Sequence, residues 1–296
     1  MSVDLIGKIL AISCAMLWAV AVIFFKRAGD TIRPSALNLY KTTVAAVLLL
    51  PVFWITGISL NPDNLTGMDW LMVAASGVIG ISLSDSLFFK SLNLLGAGLT
   101  AIVECMYSPM IMMLSWLALL DNLSFRKIGG ASLIIVAVLV ATLKVKTTRV
   151  PVRDIVLGIL VGACAMFFMA VGILLMDPVL KKTSFFWVAE VRLLAALVVL
   201  VIFISFNKDR RHMYRSLLNR SNWRHAFPGS ILGNVLSMTA WVAAFKLTDM
   251  TSAAILNQTN TIFLVILASL WLKEPFTFRR TVATILAFAG SALVLA

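Results

Sequence analysis

The sequence predicts an all-α membrane protein: ten transmembrane helices forming two inverted five-helix repeats. Three observations predict it. Apolar residues make up 61% of the 296 and charged residues only 13%, with mean hydropathy +0.99, against about 25% charged residues in soluble domains. Apolar runs recur along the chain, each close to the roughly 20 residues that cross a hydrocarbon core of about 30 Å. The second half also repeats features of the first at an offset of 153 residues.

The apolar runs place spans at 5–25, 35–56, 70–90, 98–120, 127–144, 155–176, 184–206, 226–246, 251–272 and 279–296. The first follows only Lys8 and continues past Trp18 to Phe25 with no small-residue cleavage site, so it reads as a spanning helix and not a removed signal. Turn chemistry supports the breaks. Arg27 to Pro34 is polar and ends in proline, Asn61-Pro62-Asp63-Asn64 is a turn cluster, and Gly96-Ala97-Gly98 parts spans three and four. Lys144 to Asp154 is a basic linker holding Pro151, and 207–225 is the longest and most basic loop.

The repeat is clearest between spans four and five and between spans nine and ten. Asp121-Asn122-Leu123-Ser124-Phe125-Arg126-Lys127 matches Glu274-Pro275-Phe276-Thr277-Phe278-Arg279-Arg280. The same offset pairs Gly80 with Gly233, Ser84 with Ser237, Ala101 with Ala254 and Ile102 with Ile255, and sets Leu143 opposite Ala296. The halves are 1–148 and 149–296. Five is odd, so the halves cross in opposite senses, a plan common among secondary transporters. The acid of each turn reads as a structural elbow, pairing with the following bases or capping the next helix.

The net charge of +12 sits mostly in the connections. It reads as topology signalling and headgroup contact, with no nucleic-acid partner. Cys14, Cys105 and Cys164 lie in apolar segments without metal-ligand spacing, so they read as small core residues and no metal is implied.

Leu119-Leu120-Asp121-Asn122-Leu123-Ser124 and Trp271-Leu272-Lys273-Glu274-Pro275-Phe276-Thr277, with a basic residue early in the second helix of each half (Lys41, Arg192) and Trp18 in the first, resemble the EamA family of the drug/metabolite transporter superfamily. The resemblance covers nearly the whole chain; its first turn departs by using Asp. It implies a ten-helix basket around a central cavity, alternating access, and export or exchange of amino acids and related metabolites. It also implies cytoplasmic termini. The charge count opposes this last point. Connections on one side carry 17 Lys and Arg and the other side 6, which places the termini outside by the positive-inside rule.

Ionisable groups inside a membrane need a partner or a wet cavity. Glu104, Asp85, Glu190, Lys41 and Arg192 qualify. Glu104 lies on span four with Ser108 and Ser115 on its stripe and Pro109 predicting a kink. Its counterpart is Asn257, which opens the polar run Asn257-Gln258-Thr259-Asn260-Thr261. One reading makes Glu104, Asn257, Gln258, Asn260 and Arg192, with Trp18 and Tyr107, a substrate-binding wall. The other makes Glu104 half of a packing ion pair with Lys41 or Arg192. Glu104, Asp85 and Glu190 are the candidate proton carriers. Asp85 alternatively pairs with Lys90, and Lys41 alternatively snorkels to the interface. Tyr40, Trp187 and Trp241 either shape the pocket or pack. Asp177, before Pro178, reads as a helix-end group.

Enzyme readings find no support. His212 and His225 share one basic loop, and nucleophile-elbow, Walker and zinc spacings are missing from the sequence. The expectation is a multi-pass cell-membrane transporter exporting amino acids or similar metabolites, with no cofactor and oligomeric state open. The alternatives are a flippase for a lipid-linked group and a non-transporting membrane enzyme or accessory subunit.

Overall fold

The computed structural model describes residues 3–59, 61–62, 64–118, 124–142, 151–248, 253, 256–275 and 277–295. Among them every regular element is helical. In the first half these are α1 (Val3–Ala28), α2 (Pro34–Thr56), α3 (Gly67–Gly77), α4 (Ser84–Leu95), α5 (Ala97–Glu104), α6 (Tyr107–Leu117) and α7 (Phe125–Thr142). In the second they are α8 (Val152–Leu180), α9 (Phe185–Ser205), α10 (Arg210–Leu218), α11 (Arg220–Ser230), α12 (Met238–Leu247), α13 (Asn260–Leu272) and α14 (Phe278–Leu295). π-helical stretches, Val78–Leu83 and Ile231–Ser237, join α3 to α4 and α11 to α12.

Six helices among the described residues are long and apolar enough to cross a membrane: Val3–Ala28, Pro34–Thr56, Gly67–Leu95, Ala97–Leu114, Val152–Leu180 and Phe185–Ser205. This is coarser than the ten spans expected. The ninth predicted span is interrupted at its polar run, where α13 begins only at Asn260. The loop expected over 207–225 is instead largely the short helices α10 and α11. α8 runs through Pro178 to Leu180, so Asp177 lies inside a helix, where it pairs with Lys181 one turn on.

The repeat is visible in backbone geometry. Val78 and Ile231, the first residues of the two π stretches, are 153 apart. Residues 105–106 and 258–259 are turns interrupting the fourth segment of each half, again 153 apart. Pro109 accounts for the first turn, since it cannot donate to the Cys105 carbonyl four residues back; that carbonyl accepts from Ser108 N–H instead. Each π stretch packs on the first helix of the opposite half. A methyl at Gly172 would sit 2.8 Å from the Gly80 Cα, and one at Gly233 would sit 3.0 Å from the Ala21 Cβ. A π-bulge widens the backbone locally, and small residues let the two axes approach.

The connections sort to two ends. At one, Arg27 donates to the Trp271 carbonyl at 2.9 Å, Asn93 donates to the Gly29 carbonyl at 3.2 Å, and Arg33 pairs with Asp209. At the other, Lys182 pairs with Asp69 at 2.7 Å, Asn64 donates to the Lys182 carbonyl, and Thr248 donates to Asp4. α1 therefore leaves the end at which α8 arrives, as inversion requires. Leu48, Ile135, Leu160, Val198, Phe203 and Ile285 form part of a broad exposed apolar belt that a bilayer, not water, covers.

Glu274 makes a contact that the elbow reading did not contain. It pairs with Arg280 at 3.1 Å, as expected, but it caps α5 of the other half and not the next helix: its oxygens accept from the N–H groups of Ala97 and Gly98 at 2.7 and 3.0 Å. The matching turn at Asp121 lies outside the described residues, as do Leu143, Ala254, Ile255 and Ala296 of the repeat. Cys14 and Cys105 are buried as expected, but Cys164 is exposed on α8, which turns that face outward.

Candidate functional site

α1, α2, α4, α5 and α9 bring charged and aromatic groups together inside the bundle. Lys41 of α2 is 1% exposed and pairs with Asp85 of α4 at 2.6 Å, its ammonium 5.8 Å from the Phe89 ring centre. Lys41 thus does not snorkel, and Asp85 does not pair with Lys90; α4 turns Asp85 inward and Lys90 to the surface. Asn38, one turn before Lys41, donates to the carbonyls of Ile81 and Ser82 and to Ser86. These carbonyls also accept from Ser84 N–H and from the Ser86 hydroxyl, so Asn38 adds a donor that ties α2 to the π stretch.

Glu104 ends α5 at the turn that Pro109 imposes. Its Oε1 accepts from the Trp18 indole of α1 at 3.0 Å, and its buried Oε2 has no partner among the described residues. The Trp18 ring lies 5.9 Å from that of Phe88. The alternative reading, an ion pair of Glu104 with Lys41 or Arg192, has no counterpart among the described residues: Lys41 pairs with Asp85 and Arg192 donates to Met176. Asp85 does lie within coulombic range of both Glu104 and Arg192.

Arg192 of α9 is buried at 6% exposure. Nη1 donates to the Met176 sulfur at 2.8 Å, and Nε is buried with no partner among the described residues. Its place depends on glycine. A methyl on Gly77 would stand 2.2 Å from the Arg192 carbonyl oxygen, and one on Gly80 would stand 3.1 Å from Nη2. Tyr107 of α6 is within coulombic range of Arg192. Glu190 is 2% exposed, and both its oxygens lack a partner among the described residues. Buried polar atoms are rarely left unsatisfied, so Glu104 Oε2, both oxygens of Glu190 and Arg192 Nε, unpartnered among the described residues, stand out in the bundle.

The polar run of the second half sits beside this cluster, not in it. Cys14 donates to the Asn257 side-chain amide oxygen at 3.2 Å, Gln258 donates to Ser108 at 2.9 Å, and Thr261 donates to the Asn260 side-chain oxygen at 3.1 Å. Ser108 thus bonds Gln258 and not Glu104, and the Ser115 side chain lies outside the described residues. No hydrogen bond joins Glu104 to Asn257 or Asn260 among the described residues. The first two contacts tie α1 and α6 to the segment just before α13, and Thr261 also donates to the Ala101 carbonyl of α5 at 3.4 Å. Trp187 is fully buried against Trp70, their rings 4.6 Å apart, and Tyr40 packs on Trp223. Both are packing groups. Two clefts, of about 420 and 540 Å³, open at the bundle surface, and Glu104 lines neither. The core around it is packed in this conformation. Gly77, Gly80 and Met176 are the site residues that sequence reasoning missed; the repeat singled out Gly80 only as the counterpart of Gly233.

The chain matches the sequence profile of the EamA-like transporter family over residues 5–143 and again over 156–296. A search of curated proteins gives no match. Among solved structures, one crystal structure aligns with a TM-score of 0.66 at 14% identity, covering 97% of this chain and 95% of that chain; at that identity the likeness shows the fold.

Proposed function

From its membership of the EamA-like transporter family, within the drug/metabolite transporter superfamily, we propose that this chain is a secondary transporter of small metabolites, exporting amino acids or related compounds by alternating access. Its ten helical segments each cross the membrane, and the two halves rock about the buried cluster. The observation that carries the reading is Glu104: a carboxylate inside the bundle, oriented by Trp18 through one oxygen, with the other free. A free carboxylate oxygen suits an ammonium group, and the free Nε of Arg192 suits a carboxylate. Together they match the two ends of an amino acid. Lys41–Asp85 sets the local charge, and Glu104, Asp85 and Glu190 are the proton carriers. The packed core corresponds to an occluded state that opens when the halves move.

Counterflow in proteoliposomes tests this. Vesicles loaded with mixed unlabelled amino acids should draw in one labelled class selectively. Folded protein that draws in none, across amino acids and related metabolites, overturns the reading.

A further inference from the structure

The larger cleft, about 540 Å³, lies between α4, α9 and the start of α2, with α10 above it. Its mouth holds Arg33, Lys90 and Asn207, at the end of the molecule where Asn93 meets Gly29. Its walls are Leu83, Leu87, Val199 and Phe203, and it ends at Val78, near the middle of the Gly67–Leu95 span. The charge is all at one end; inward from it the walls are mainly apolar, with Ser82 and Ser86 among them.

We propose that this cleft holds one resident anionic phospholipid, its phosphate between Arg33 and Lys90 and one acyl chain laid along α4 and α9. Four observations support this occupant. Lys90 is exposed and has no hydrogen-bond or ion-pair partner among the described residues. Arg33 is paired with Asp209, but α10 adds Arg210, Arg211 and Arg215 beside the mouth, so the local field stays positive. Leu83, Val198, Ile202 and Phe203 are 42%, 59%, 51% and 55% exposed; they belong to the apolar belt, so the groove opens sideways into the bilayer. From Val78 to Lys90 the helix rises roughly 18 Å, close to one leaflet of a hydrocarbon core of about 30 Å.

A soluble phosphate would use the mouth and leave the apolar walls bare. A lipid being carried across would need a groove that continues beyond Val78 to the other end, whereas the lining of this cleft reaches no further than Val78 along that span. The fit is to a lipid that stays.

The test uses the full chain, delipidated in neutral detergent, with thermal unfolding followed as lipid is added. Phosphatidylglycerol should raise the midpoint by several degrees, phosphatidylcholine by much less, and soluble glycerol phosphate not at all. Lys90→Gln, a change at an exposed unpaired residue that leaves the fold intact, should weaken the apparent affinity for phosphatidylglycerol about tenfold. Arg33→Gln should weaken it further, and Lys181→Gln, at the other end of the molecule, should not. Leu83→Trp, which fills the groove and leaves the charges in place, should also abolish the shift. Equal shifts from the two lipids, an unaltered response in Lys90→Gln, or an equal shift from glycerol phosphate would each overturn the proposal; the last would make the mouth a soluble-anion site.

Discussion

The indole of Trp18 reaches across 86 residues of sequence to hold one oxygen of Glu104 at 3.0 Å, and the other oxygen is buried and free. α1 and α5 meet at this bond, so a movement that parts them changes the setting of the carboxylate.

Glu104→Gln keeps an acceptor for Trp18 and removes the charge. Counterflow should fall at least about tenfold, equivalent to about 1.4 kcal/mol, with the thermal midpoint in detergent close to that of the parent. Full transport in this variant would remove Glu104 from the site.

The Lys41–Asp85 pair is buried, so breaking it strands a charge. Asp85→Asn alone should cost about 3–5 kcal/mol, whereas exchanging both partners for Met and Leu should be near neutral or stabilising. Chemical denaturation in mixed micelles, run as a double-mutant cycle, measures the difference. A double change that costs the sum of the two single changes would show that the pair is not coupled.

Gly77→Ala places a methyl 2.2 Å from the Arg192 carbonyl oxygen, a backbone atom that cannot swing away. It should cost about 1–3 kcal/mol and displace Arg192. Gly67→Ala, which meets nothing within 4 Å, is the control, and its thermal midpoint should hold or rise.

Glu274→Ala removes both acceptors from the start of α5 and the partner of Arg280. A loss of about 1–2 kcal/mol is expected, with faster hydrogen exchange confined to the amides at 97–104. Unchanged exchange there would mean that the cap contributes nothing.

His225 packs beside Phe24, and burial, then nearby Arg224 and Arg27, push its imidazole below the ordinary range. The unfolded chain therefore takes up this proton first as pH falls. Stability from this site is intact above about pH 6.5, the ordinary imidazole value, and declines below it. His225→Gln should flatten the thermal midpoint between pH 5 and 7.

Helix positions and the inverted repeat were legible because composition and spacing write them locally. A run of apolar residues has one stable form in hydrocarbon, and the offset of 153 recurs in the π stretches and in the turns at 105–106 and 258–259. Glu104, Asp85 and Arg192 stood out because charge in a span is costly. Their partners did not. Which carboxylate takes Lys41, that Glu274 caps a helix of the other half, that Gln258 bonds Ser108 and leaves Asn257 apart from Glu104, and that Gly77 makes room for Arg192 all depend on how helices rotate and how closely they approach. Spacing along one helix shows which residues share a face. Which face a neighbour meets is decided by the packing of all the helices at once, and only the tertiary structure holds that information.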